Sequence, residues 1–170
     1  MGKILMDVYN DRPSNMALYN YFGIPIQFLF FFWLFYRFFE TEKLRRWPIA
    51  GLAIYLACWA AERFFLTATR TWFMSFSYTV GNIILLVLII AFFIKFINSN
   101  EILKYKQSMM FWVSLGLLSF YLGTFPYYAL RNTLFDNYRQ LFNVYFYVSF
   151  GLDYLMYIFF TIAFIWGRPK

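Results

Sequence analysis

The sequence predicts an all-α fold, a polytopic integral membrane helix bundle with about five transmembrane helices in one domain spanning the chain. Three observations carry this. The chain is 62% hydrophobic and only 14% charged, whereas soluble domains lie near 45–50% apolar and about 25% charged. The apolar residues come in blocks of about 20, separated by short polar segments, which is the length a helix needs to cross hydrocarbon. The blocks are apolar on all sides, and a soluble helix keeps a polar face.

Residues 1–16 are a polar start, with Asp7, Asn10, Asp11, Arg12, Pro13, Ser14 and Asn15 as turn formers. They lack the basic region running straight into an apolar stretch that marks a cleavable signal. Ser14 or Asn15 is placed to cap the first span. That span covers about 17–39, with Pro25 as a candidate kink and a heavy aromatic load at Phe28, Phe30, Phe31, Phe32, Trp33, Phe35 and Tyr36. The second covers about 48–68, with Pro48 in its first turn. The third covers about 76–97, polar at Ser77, Tyr78, Thr79 and Asn82 and then plainly apolar up to Lys95. The fourth, about 109–130 (MMFWVSLGLLSFYLGTFPYYAL), is the expected packing hub. Its Gly116, Ser119 and Gly123 fall three and four residues apart and so line one face. Such a flat face lets a second helix approach closely, which is what drives association in lipid. A connection over 131–141 leads to the fifth span, about 142–166.

The net charge of +7 sits mostly at span ends and in loops. This placement points to membrane topology and anionic headgroups, and away from nucleic acid. Arg37, Lys43, Arg45, Arg46, Lys95, Lys104, Lys106, Arg168 and Lys170 fall on one side of a five-span chain, against Lys3, Arg12, Arg63, Arg70, Arg131 and Arg139 on the other. The positive-inside rule then places the N-terminus outside and the C-terminus in the cytoplasm, in a cytoplasmic (inner) membrane. Trp47, Trp72, Tyr127, Tyr128, Tyr138 and Trp166 near the span ends fit an interfacial aromatic belt. The chain has no histidine and a single cysteine, Cys58. Metal, haem and general-base chemistry that depends on histidine is therefore unexpected, and no intrachain disulfide can form.

An ionisable residue at bilayer depth is costly and marks a site by default. Glu62 and Arg63 in the second span and Asp153 in the fifth are of this kind. Helical phase groups Tyr55, Cys58, Trp59 and Glu62 on one face, Tyr78, Thr79 and Asn82 on another, and Phe146, Ser149, Phe150, Asp153 and Tyr157 on a third. Packed inward, these faces bring Glu62, Tyr78, Asn82 and Asp153 into one polar core within reach of Gln27, with Arg63 beside it. Two readings stay open: interhelical hydrogen-bonded glue, or a ligand pocket.

Three stretches, NMALYNYFGIPIQFLFFFWLFYRFF (15–39), SYTVGNIILLVLIIAFF (77–93) and FWVSLGLLSFYLGTFPYY (111–128), carry a resemblance. The chain resembles small, uncharacterised bacterial multi-spanning proteins associated with histidine-kinase signalling. The most specific part is the FW-S-GLL-FY-GT-P pattern at 111–126. Members of the group carry further spans ahead of the YNY-like segment. The resemblance implies the membrane fold and coupling to a kinase, and supplies no catalytic residues.

No metal-ligand cluster, Ser/His/Asp set or phosphate loop appears in the sequence. The expectation is a non-enzymatic sensory or partner-coupling module, with no catalytic residues, metal or cofactor. Its partners are the lipid bilayer and either another membrane protein or further copies of itself. An accessory subunit of a larger membrane complex, or a small channel or transporter, are the alternatives.

Overall fold

In a computed structural model the described residues are 18–39, 42–66 and 73–167, and nearly all of them are helical. The candidate N-cap at Ser14 or Asn15, and the basic residues Lys3, Arg12, Arg70, Arg168 and Lys170, lie outside them. The chain divides into two compact units, the first ending at Gly81 and the second beginning at Asn82.

The first unit opens with a π-helical turn, Tyr19–Gly23, which runs directly into helix α1, Ile24–Phe38. Ile24 donates its N–H to Tyr19 O, the wide bond of a π turn. Pro25 then falls in the first turn of α1, where its missing amide costs little. The helix type thus changes just ahead of Pro25, the residue expected to kink this span. Ile24, Phe28, Phe31, Phe32 and Phe35 are buried, at the three- and four-residue spacing of one helical face. Helix α2, Glu42–Ala61, packs against α1 and ends in a second π-helical turn, Glu62–Leu66.

Helix α2 begins earlier than the 48–68 span expected from sequence, so Pro48 is interior to it. The turn ahead of the proline is built from Leu44, Arg45 and Arg46, good helix formers. Arg45 also reaches back to the end of α1. Its Nε donates to Tyr36 O (3.4 Å) and its guanidinium lies 4.9 Å from the Tyr36 ring. A cation at a helix C-terminus is favoured by the helix dipole.

The core of this unit is aromatic. The Phe28 ring lies 4.8 Å from Tyr55 on α2 and 5.5 Å from Tyr78, in the first turns of helix α3, Ser75–Ile97. Tilted and edge-on pairs of this kind add about 0.5–1.5 kcal/mol each beyond the area they bury. Gly81 makes the arrangement possible, because a Cβ there would sit 2.8 Å from Tyr55 and 2.9 Å from Phe28.

In the second unit α3 continues with Leu85, Leu88, Ile89, Phe92 and Phe96 buried. A 3₁₀ segment, Asn100–Gln107, joins it to helix α4, Met109–Ala129. A short helix α5, Arg131–Asn137, occupies most of the connection expected over 131–141, and helix α6 runs Arg139–Trp166. Stacking holds this corner. Arg131 lies over Tyr127 and Tyr128, Arg139 lies 4.2 Å over Phe135, and Phe135 meets Phe142 edge-on.

Helices α4 and α6 form an antiparallel pair in contact along their length. Tyr127 stacks near Phe142 and Tyr145 at one end, and Trp112 near Phe159 and Trp166 at the other. The buried residues of α6 are Ser149, Met156 and Ala163, a seven-residue repeat of the kind that runs along a coiled-coil seam. The face expected from sequence meets this seam only at Ser149: Phe146, Phe150 and Tyr157 are exposed, and Asp153 is half-buried at the flank. The small residues of α4 set this phase. A Cβ on Gly116 would lie 3.0 Å from Phe159 Cβ and 3.2 Å from Met156 O, and Gly123 faces Leu152. Ser119 is half-buried and returns its hydroxyl to Leu115 O.

Four of these helical stretches are long and apolar enough to cross a membrane: Tyr19–Phe38, Ser75–Ile97, Met109–Ala129 and Arg139–Trp166. Helix α2 is not one of them. Arg45 and Arg46 occupy its start and Glu62 follows its α-helical end, so the uninterrupted apolar part is confined to 47–61.

Replacing Gly116 with leucine is expected to push α6 away and destabilise the protein by about 1–3 kcal/mol, with alanine causing a smaller loss. Thermal unfolding in detergent micelles, followed by size-exclusion chromatography, measures both.

Candidate functional site

Two π-helical turns and the start of α3 meet in the first unit and build the most polar cluster there. The first turn carries Asn20, which is buried, and Tyr21. The second carries Glu62 and Arg63. The Arg63 guanidinium lies 5.0 Å from the Tyr21 ring centroid, so the two irregular turns touch through a cation–π contact.

Glu62 is 7% exposed. Its carboxylate accepts from Phe76 N at 3.2 Å and from Ser77 N at 2.7 Å, one bond to each oxygen. The first amides of a helix have no partner within it, and the positive end of the helix dipole favours an anion there. Glu62 therefore caps α3 from a different helix. The face grouped with it by helical phase does turn inward, with Tyr55 buried and Cys58 and Trp59 half-buried. The buried Tyr55 hydroxyl lies in electrostatic range of the Glu62 carboxylate and makes no hydrogen bond to the described protein atoms.

The other expected site residues are spread over both units. Tyr78 is buried in the aromatic core, with Phe28 at 5.5 Å and Phe73 at 5.6 Å. Gln27 is half-buried on α1 next to Phe28. In the second unit Asn82 is fully buried, and its Nδ2 donates to Tyr121 O on α4 at 3.2 Å. A carbonyl has two acceptor lone pairs, so this bond can add to the helical one at Tyr121. The Asn82 Oδ1 makes no hydrogen bond to the described protein atoms. Asp153 lies half-buried beside Leu152, the residue that meets Gly123.

Asn20, Tyr21 and the amides of Phe76 and Ser77 are the participants that sequence reasoning did not select. No sequence signal marks Tyr21. The only pointer to its irregular turn is Pro25, which follows it by four residues.

The chain matches no known protein family, no curated protein and no solved structure. What the site can do must be read from its own chemistry. Among the described residues no three side chains of metal-ligating type converge. The polar groups at the junction hold an ion–amide cap and a cation–π contact, which tie the end of α2 to the starts of α1 and α3.

Substituting Glu62 with alanine is expected to cost about 1.5–3 kcal/mol, because two amides lose a charged acceptor. Glutamine keeps one acceptor oxygen and is expected to lose less. Chemical or thermal unfolding of the purified protein in micelles, with wild type alongside, checks the order Ala > Gln > wild type in destabilisation.

Proposed function

We propose that the protein is a non-enzymatic integral membrane protein that serves as a sensory or partner-coupling module. In this reading the four long apolar helices cross the bilayer and α2, extended by its π turn, makes the fifth crossing. The N-terminus is outside and the C-terminus lies in the cytoplasm of a bacterial inner membrane. In the same reading a separate histidine kinase is the partner for that cytoplasmic end.

The observation that carries this reading is the junction at Glu62 and Arg63. Two adjacent residues of opposite charge, in a π-helical turn, hold two different helix starts. π-helical turns occur frequently at functional sites. A ligand or partner that displaces either contact changes the hold of α2 on α1 and α3 together. That gives it a differential free energy between two arrangements, which a sensor requires.

A second reading, an accessory subunit of a larger membrane complex, is favoured by α6. Tyr147, Tyr154 and Tyr157 are exposed near its middle, and nothing lies within 4 Å of a Cβ placed on Gly151. Tyrosine hydroxyls in hydrocarbon seek a partner.

Native mass spectrometry of the tagged protein, gently extracted from its own membranes, tests both readings. A reproducible small-molecule or stoichiometric protein adduct is expected for wild type, and its loss is expected for Glu62→Gln and Arg63→Ala variants that remain monodisperse. A protein adduct that persists in both variants would favour the subunit reading. An empty monomer in all three would overturn both.

A further inference from the structure

We propose that the Asn100–Gln107 segment is a preformed binding element for anionic phospholipid headgroups, seated at the bilayer surface between α3 and α4. The inference rests on the membrane reading above.

The segment is short but firmly held. Its 3₁₀ winding breaks at Lys104 (φ −117°, ψ 27°), which turns the chain toward α4. Ser108 N donates to Tyr105 O at 3.1 Å, and the Ser108 hydroxyl accepts from Phe111 N as the N-cap of α4. The Trp112 indole donates to Lys106 O at 3.1 Å. The Tyr105 ring meets Phe111 edge-on with centroids 5.5 Å apart. These contacts pin the backbone of residues 105–108 to the first turn of α4.

With the backbone held, the side chains are left facing outward. Leu103 is 84% exposed, the highest value among the exposed large hydrophobic residues, and Ile102 and Tyr105 are exposed beside it. Lys104 and Lys106 are exposed as well, with the Lys106 ammonium 6.0 Å from the Tyr105 ring. In water alone an apolar side chain as exposed as Leu103 has nothing to offset its exposure. At a membrane surface the same arrangement is favourable. Leu103 and Ile102 enter the boundary between headgroups and acyl chains, the lysine stems lie along it, and their ammonium groups meet lipid phosphates. Lys104 and Lys106 outweigh Glu101, so the segment is net basic, and an anionic leaflet attracts basic segments next to a span. Tyrosine also suits this depth.

The test places a cysteine at Leu103 in a Cys58→Ser background, labels it with an environment-sensitive fluorophore, and reconstitutes the full chain into vesicles. The vesicles are phosphatidylcholine alone, or phosphatidylcholine mixed with phosphatidylglycerol. The expected result is a blue-shifted probe, quenched by shallow spin-labelled lipid, with an inserted fraction that rises in the anionic vesicles. Replacing Lys104 or Lys106 with glutamine should weaken insertion by about fivefold per lysine. An unshifted probe, or equal insertion in both vesicle types, in protein that resists carbonate extraction overturns the proposal and leaves the membrane reading standing. A probe that shifts only when other membrane proteins are added overturns it in favour of a protein partner. Protein that washes off the vesicles in carbonate overturns the membrane reading and this proposal with it.

Discussion

A helix that starts in a partly buried place must find acceptors for its first amides, and α3 finds them in a side chain from another helix. The Glu62 carboxylate occupies the position that a serine or aspartate immediately before the helix would otherwise fill. Two consequences follow for the first unit. The end of α2 is fixed relative to the first turn of α3 by two hydrogen bonds. That fixed start sets the direction of Tyr78, which completes the aromatic cluster with Phe28 and Phe73. The buried Glu62 carboxylate and the unit's apolar core are thus parts of one arrangement.

The second unit rests on close approach. Its two longest mutual partners, α4 and α6, meet where α4 has no side chain to hold them apart. Met156 brings its backbone carbonyl near Gly116, and large aromatic residues fill the two ends of the seam. Dispersion between well-fitted surfaces is the force available to helices that are apolar on every side. Asn82 adds a polar tie from α3 to α4 through the Tyr121 carbonyl. Its energetic weight is of the order of other interhelical side-chain bonds, about 0.6 kcal/mol on average.

Much of this was legible in the sequence, and what was hidden has physical reasons. Block length alone placed α3 and α4 within a residue or so of their observed bounds. The spacing of Gly116 and Gly123 marked the α4 face that α6 uses. Of the α6 face that helical phase groups together, Ser149 lies in the seam, while Phe146, Phe150 and Tyr157 are exposed. Steric fit to the two glycines selected Leu152 and Met156 and left Asp153 at the flank. The two π turns were hidden because each depends on a single shifted hydrogen-bond register that residue types do not encode. For the same reason Glu62 could be recognised as costly to bury but not as a cap. The residues it caps are fourteen and fifteen positions away.

The order of elements along the chain has a consequence for synthesis. Helix α4 pairs with α6 along its length, and α6 is made after α4. Between completion of Ala129 and of Trp166 the glycine face of α4 waits without its partner. At about 5–20 residues per second that interval lasts seconds, far longer than a helix needs to form. During it, the grooved surface at Gly116 is available to any other helix nearby, whether an earlier helix of the same chain or a helper protein. The choice of glycine at Gly116, which suits the finished hairpin so well, makes the nascent chain a temporary acceptor for other helices.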